Sequence, residues 1–203
     1  MGFCFCLAVF VTDSLFLSDQ YNICFVWWAA MDRDLWLRVY TVYQKDPSLL
    51  SRWVDMVVGD LDSALEFARR YTTFDVAPDT LLLGFSPQIL LAVVSVNNRG
   101  VRVVTSPEVW VKPISPAMHS YRLLRLLVEK GLVEKVYTAS FAPSPEKTPV
   151  DVIKEIEEAV RQAEPGILDI SGGTQLAAIA ASRTVSQLTY IYPLGDRVHI
   201  FKL

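Results

Sequence analysis

The chain has 203 residues, of which 52% are hydrophobic and 20% are charged, and it carries a formal net charge of −3. This composition is typical of a globular protein with a sizeable core, and it excludes an intrinsically disordered chain. The small negative charge argues against a protein that binds duplex DNA through a basic surface.

Residues 1–30 form an apolar N-terminal extension with two aspartates and no lysine or arginine. Asp13 and Asp19 interrupt its apolar runs. No run therefore reaches the roughly 20 residues that a membrane-spanning helix needs, and we expect no membrane anchor. Two interpretations stay open, because Met31 opens a stretch that is typical of a protein start. The extension is either an over-extended start of the reading frame or an apolar element that packs on the body of the protein.

All three cysteines lie in this extension, at positions 4, 6 and 24. Their odd number, without a spaced framework, predicts a reducing, cytoplasmic compartment and no disulfide scaffold. A metal site would need further ligands, and the two histidines, His119 and His199, are far away in the sequence. We therefore predict no metal site.

Residues 31–79 are predicted to form a helical segment that ends in a linker over residues 75–79. Asp46 before Pro47 is typical of a helix N-terminus, and Asp60 or Asp62 begins a second helix. The segment has six basic and nine acidic residues. This balance disfavours a DNA-reading helix-turn-helix and favours an appendage for packing or dimerisation.

Short apolar strands alternate with helices over residues 80–203. The predicted strands span 80–84, 101–106, 133–141 and 167–171, and the predicted helices span 86–96, 116–131, 148–166 and 174–185. Two further strands surround a Pro-Leu-Gly-Asp turn within residues 188–203. This pattern predicts an α/β fold: a Rossmann-like, mainly parallel sheet with helices on both faces, preceded by a small helical N-terminal segment.

Two loops are candidates for a binding site. "GFSPQ" follows the first predicted strand and "SGGTQ" follows the fourth, and each begins a helix. Ligands in such sheets bind beyond the carboxyl ends of the strands, where strand order reverses, and exposed backbone amides at a helix start bind anions. The candidate ligand-binding residues are Gly84, Phe85, Ser86, Pro87, Gln88, Ser171, Gly172, Gly173, Thr174 and Gln175.

A simpler interpretation of the same loops stays open. Ser86 and Thr174 would then act only as helix caps, and Gly172 and Gly173 only as a tight turn. The signatures G-x-x-x-x-G-K-[ST] and G-x-G-x-x-G are missing from the sequence, so we predict no bound nucleotide cofactor.

Residues 80–203 resemble a CARF domain, the Rossmann-like sensor of type III CRISPR systems. The resemblance rests on "LLLGFSPQILLAVVSV", "LDISGGTQLAAIAA" and the closing "LTYIYPLGDRVHIFKL". It implies a homodimer whose paired loops face across a symmetric pocket and bind a cyclic oligoadenylate, with cyclic tetra-adenylate as the expected ligand.

A CARF domain without a recognisable effector domain resembles a ring nuclease, which cleaves the cyclic messenger without a metal or other cofactor. The resemblance implies catalytic roles for Ser86, which would position the ribose or phosphate, and for Gln175. Gln175 stands where such enzymes usually have a lysine, and Lys112, Arg99 and Arg102 are possible substitutes. The alternatives are a non-catalytic sensor that acts through the helical N-terminal segment and a CARF-like nucleotide-binding protein outside CRISPR defence.

Overall fold

The computed structural model describes residues 33–41 and 46–203, so the predictions for residues 1–30 lie outside the described residues. Its helices are α1 (Arg33–Thr41), α2 (Pro47–Gly59), α3 (Leu61–Tyr71), α4 (Pro87–Val96), α5 (Pro107–Trp110), α6 (Met118–Glu129), α7 (Pro149–Ala163) and α8 (Gln175–Thr184). Its strands are β1 (Thr72–Phe74), β2 (Thr80–Leu83), β3 (Val101–Thr105), β4 (Val133–Thr138), β5 (Leu168–Gly172), β6 (Leu188–Leu194) and β7 (Arg197–Lys202).

The seven strands form one sheet in the order β1-β7-β6-β5-β2-β3-β4. The pairs from β6 through β5, β2 and β3 to β4 are all parallel, whereas β6 and β7 pair antiparallel as a hairpin. The chain builds β2, β3 and β4 outward in one direction and then places β5 on the other side of β2. Strand order therefore reverses between β2 and β5, which makes this pair the topological switch point.

Helices cover both faces of the sheet, and alternate strand residues supply the two cores. On one face Leu81 and Leu83 belong to a cluster that includes Trp36, Trp53 and Leu90 from the helices. On the other face Leu82 and Leu168 pack with residues of α7 and α8. The predicted α/β fold with a Rossmann-like, mainly parallel sheet is confirmed.

Capping side chains fix several helix starts where the sequence predicts them. The Asp46 carboxylate accepts from the Leu49 amide at the start of α2, and the Asp60 carboxylate accepts from the Ser63 amide at the start of α3. At the start of α7, Thr148 and Asp151 form a reciprocal capping box. Each of these side chains satisfies a helix amide that has no partner within the helix.

The end of the helical segment differs from the sequence prediction. Residues 72–74 form strand β1, which pairs in parallel with β7 at the sheet edge, instead of continuing the helical segment. The residues of the predicted linker are also bonded to the sheet. Asp75 accepts from the Lys202 amide, and Asp79 pairs with Arg102. Helices α1 to α3 thus share a core with the sheet that follows them.

Within residues 33–41 and 46–203, no helix is both long enough and apolar enough to cross a membrane.

Candidate functional site

The two predicted loops adjoin at the switch point. Strand β2 pairs with β5, and Leu83 stands opposite Gly172 in this pairing. The loop over 84–88 therefore leaves the sheet beside the loop over 171–175, and helices α4 and α8 begin at this same edge. The first amides of a helix lack intrahelical partners and carry the positive end of the helix dipole, so this edge can bind an anion.

Two glycines of the site are required by the approach of the two backbones. A Cβ atom on Gly84 would lie 2.6 Å from the Gly172 carbonyl oxygen. A Cβ atom on Gly172 would overlap the Leu82 carbonyl oxygen. Gly84 and Gly172, which the sequence predicts to bind a ligand, thus have a packing role that is independent of any ligand.

The loop over 84–88 divides into an inner and an outer part. Pro87 and Gln88 are buried in the first turn of α4, with Gln88 only 1% exposed. Phe85 is exposed at 44%, and Ser86 is half-buried at the N-cap position. The surface that this loop presents to a ligand therefore comes from Gly84, Phe85 and Ser86, rather than from all five predicted positions.

The loop over 171–175 is fixed by hydrogen bonds of its side chains. The Ser171 hydroxyl accepts from the Ile191 amide at 2.6 Å. The Thr174 hydroxyl accepts from the Ala177 amide at 3.3 Å as the cap of α8, and it donates to the Phe141 carbonyl at 2.9 Å. Thr174 is thus a cap, as the simpler interpretation has it, and it also ties this loop to the loop after β4.

Gly172, Gly173 and Gln175 complete this loop. Gly172 is buried between the strands, and Gly173 is half-buried, with the space of a Cβ atom bounded by Leu82 and Ala177. Gln175 is exposed as the first residue of α8. The outer surface of this loop therefore offers backbone amides and a neutral side-chain amide, which can donate hydrogen bonds but cannot neutralise a phosphate charge.

Asp169 lies beneath the second loop and is fully buried. Its Oδ1 accepts from the Ser171 amide at 3.0 Å, and its Oδ2 accepts from the Thr189 hydroxyl at 3.0 Å. Burial raises the pKa of Asp169 to about 7, although the hydrogen bonds from Ser171 and Thr189 oppose the shift. Asp169 caps the turn into the loop, and it titrates near neutral pH.

Helix α1 contacts this site from the N-terminal segment. The Tyr40 hydroxyl donates to the Gln88 carbonyl at 2.8 Å, across 48 positions of sequence. Burial and, to a smaller extent, the nearby Asp169 raise the pKa of Tyr40. One tyrosine therefore stands next to both loops, and no motif in the sequence indicated this contact.

The cations that could replace a missing lysine are distributed over two edges of the sheet. Arg102 lies at the amino end of β3, where it pairs with Asp79 and donates to the carbonyls of Ala163 and Glu164. Arg99 precedes β3 and lies towards this same amino end. Both residues are therefore at the edge opposite the loops.

Two lysines follow carboxyl ends of strands instead. Lys112 is exposed after α5, in the connection that leaves β3. Lys147 belongs to the loop after β4, and no sequence motif marks this position. Its Nζ donates to the Ser140 hydroxyl at 2.9 Å and pairs with Glu155 Oε1 at 2.6 Å. The hydrogen bond from Lys147 is the main cause that lowers the pKa of Glu155.

A surface depression of about 400 Å³ lies beside this lysine rather than between the two loops. It is lined by Thr138, Lys154, Glu155, Glu158, Ala159 and Gln162. In the described part of the chain, no group of three or more histidine, cysteine or acidic side chains is placed to hold a metal ion.

A comparison with protein-family models gives no match for this chain, and a search of curated proteins also gives none.

Proposed function

We propose that this chain binds a cyclic oligoadenylate, with cyclic tetra-adenylate as the main ligand, and cleaves it as a metal-independent ring nuclease that ends CRISPR signalling. The observation that carries the proposal is the meeting of the two motif loops at the switch point, where Leu83 stands opposite Gly172. This is the position at which open α/β sheets bind ligands. The sequence motifs in these loops are the ones that resemble CARF domains.

The base and the phosphate of the ligand would each have a complementary group at this edge. The exposed Phe85 ring offers an adenine base a face on which to stack. The amides that begin α8 offer hydrogen bonds to a phosphate. A homodimer, as the resemblance implies, would present two copies of each loop to a ring with two-fold symmetry. The proposed compartment is the cytoplasm, and neither duplex DNA nor a membrane is a proposed partner.

The proposed reaction needs only the protein, its ligand and water. A ribose 2′-hydroxyl oxygen attacks the adjacent phosphorus, and the bond from phosphorus to the 5′-oxygen breaks. The 2′-hydroxyl proton passes to water, and the departing 5′-oxygen takes a proton from water. The products are a 2′,3′-cyclic phosphate and a 5′-hydroxyl. Ser86 would hold the ribose or the phosphate in the in-line geometry, and Gln175 would donate a hydrogen bond to the phosphate.

Incubation with cyclic tri-, tetra- and hexa-adenylate in EDTA tests this proposal. Products are followed by liquid chromatography with mass spectrometry, and binding is measured by calorimetry. Linear products that carry a 2′,3′-cyclic phosphate are the expected result. An intact ring and no heat of binding for any of the three ligands would refute both binding and cleavage.

A non-catalytic sensor is the second candidate, and the contact between α1 and the loops favours it. Tyr40 bonds to the Gln88 carbonyl, so a ligand that moves the loop over 84–88 would also move α1. The expected result for a sensor is tight binding with an intact ring and a ligand-dependent change in amide hydrogen exchange over residues 33–41. A Tyr40→Phe variant should bind the ligand and lose this change.

A further inference from the structure

We infer that Lys147 supplies the positive charge that Gln175 cannot offer to a phosphate of the bound ring. This inference rests on the proposed function, because it assigns a residue to the same ligand site. The lysine comes from the loop over residues 139–148, between β4 and α7, and not from the second motif loop.

The loop over 139–148 is attached directly to the start of α8. The Phe141 carbonyl accepts from the Thr174 hydroxyl at 2.9 Å. Ser140, the neighbour of Phe141, is bonded to the Lys147 ammonium at 2.9 Å. These contacts place the Lys147 Nζ within about 14 Å of the Thr174 hydroxyl, given the dimensions of two adjacent residues. On release from Ser140 and Glu155, the lysine stem could shorten this distance further.

Lys147 is held in place without being removed from solvent. Its ammonium pairs with Glu155 Oε1 at 2.6 Å, and the two side chains are 40% and 38% exposed. The Ser140 amide donates to the other carboxylate oxygen of Glu155 at 3.3 Å. The ammonium is therefore ordered by two oxygens and remains open to an incoming anion.

The other cations considered for this role have weaker positions. Arg102 is engaged by Asp79 and by the carboxyl end of α7 at the opposite edge of the sheet. Lys112 lies at the correct edge, but among the described contacts no hydrogen-bond path links it to either motif loop. Lys147 lies at the same edge as the motif loops, and a hydrogen-bond path links it to one of them.

A substitution of Glu155 tests the direction of the change in ligand affinity as well as its size. A ligand phosphate would have to share the Lys147 ammonium with Glu155, since both are anions that compete for one cation. Removal of the Glu155 charge should therefore strengthen ligand binding. If the Lys147–Glu155 pair serves only to hold the loop, the same change should loosen the loop and give no gain in affinity.

The experiment measures binding of cyclic tetra-adenylate by calorimetry for wild type, Lys147→Gln, Glu155→Gln and the control Lys154→Gln. The control removes an exposed lysine of α7 at the neighbouring depression. We expect Lys147→Gln to weaken binding at least tenfold, Glu155→Gln to strengthen it about threefold, and Lys154→Gln to change it less than twofold. Thermal denaturation of each variant establishes that it is folded.

The outcomes separate this inference from the proposed function. If wild type does not bind, the proposed function fails and this inference falls with it. If wild type binds and Lys147→Gln binds equally well, this inference alone is overturned. Equal losses in Lys147→Gln and Lys154→Gln would indicate a general effect of net charge and would also overturn it. Should Lys147→Gln fail to fold, Glu155→Gln decides the matter, because a loss of affinity there contradicts the inference.

Discussion

The two loops at the switch point are held in different ways, although they leave adjacent strands at the same edge. The loop over 84–88 is held mainly by packing, because its last two residues, Pro87 and Gln88, are buried, and the Tyr40 hydroxyl adds a hydrogen bond to the Gln88 carbonyl. The loop over 171–175 is held by hydrogen bonds to Asp169, Ile191 and Phe141. The first loop therefore presents an aromatic ring and a serine, and the second presents amides. This division suits a ligand that has both bases and phosphates.

The largest expected effect comes from the backbone contact between Gly172 and strand β2. A Cβ atom on Gly172 would overlap the Leu82 carbonyl oxygen, and neither backbone can move without breaking the pairing of β2 and β5. We expect Gly172→Ala to cost about 4 kcal/mol or more in the free energy of unfolding, or to abolish folding. Urea denaturation measures this change.

Gly100→Ala is the matched control for this prediction. The nearest atoms to its added Cβ belong to the Glu134 side chain, which can rotate away. We expect a change of less than about 1 kcal/mol for this variant. A Gly172→Ala protein as stable as Gly100→Ala would show that Gly172 and strand β2 do not form a rigid contact.

The stability of the loop over 171–175 should depend on pH, because this loop lies above a buried carboxylate. The loop over 84–88 has no buried carboxylate to titrate. Burial raises the pKa of Asp169 to about 7 from its ordinary value of 3.8. Between these pH values the folded protein keeps a proton that the unfolded chain has released. The stability from this group is therefore full below pH 3.8 and is lost as the pH rises to about 7. The complete loss is on the order of 4 kcal/mol.

Asp169→Asn isolates this effect because the asparagine stays neutral and its oxygen can still accept from the Ser171 amide. We expect the variant and wild type to have similar stabilities near pH 4.5 and the variant to become the more stable protein by pH 8. Urea denaturation across this range measures the difference in the free energy of unfolding between the variant and wild type. The contributions of the other carboxyl groups cancel in this difference. A difference that does not change with pH would contradict the titration of Asp169 in this range.

The loop over 84–88 is expected to matter mainly for catalysis. Ser86 is half-buried between the exposed Phe85 and the buried Pro87, so its position is well defined by its neighbours. We expect Ser86→Ala to reduce the rate of ring cleavage at least tenfold, which corresponds to about 1.4 kcal/mol of transition-state stabilisation. Single-turnover kinetics measure this rate. An unchanged rate, with Ser182→Ala as the control for loss of a distant hydroxyl, would remove Ser86 from the mechanism.

The parts of the fold that local sequence determines could be predicted. Short apolar strands between capped helices gave the parallel sheet, and Asp46 and Asp60 marked the starts of α2 and α3. Strand β1 could not be predicted, because three residues directly after a helix show no strand period and their partner β7 lies far away in the sequence. Its existence depends on the completed sheet.

In the candidate site too, some features could be predicted from the sequence and others could not. The position of both loops after strands followed from the sequence pattern, and the pairing of β2 with β5 brings the two loops side by side. The reason for Gly172 could not be predicted, because the atom that requires it belongs to the Leu82 backbone. The contacts of Tyr40 and Lys147 depend on packing between distant segments, and no local pattern marks them.

The smallest expected effect tests whether the lack of a positive charge on the loop over 171–175 limits the cleavage rate. Gln175→Lys would place a cation at the exposed start of α8, next to the proposed phosphate. We expect about a threefold gain in the cleavage rate, or roughly 0.6 kcal/mol, because Lys147 already supplies part of the charge. Gln162→Lys adds the same charge on the exposed face of α7 and should leave the rate unchanged. In a Lys147→Gln background the gain from Gln175→Lys should exceed tenfold, since the two lysines would then substitute for each other. Equal gains in both backgrounds would mean that the two positions act on different phosphates.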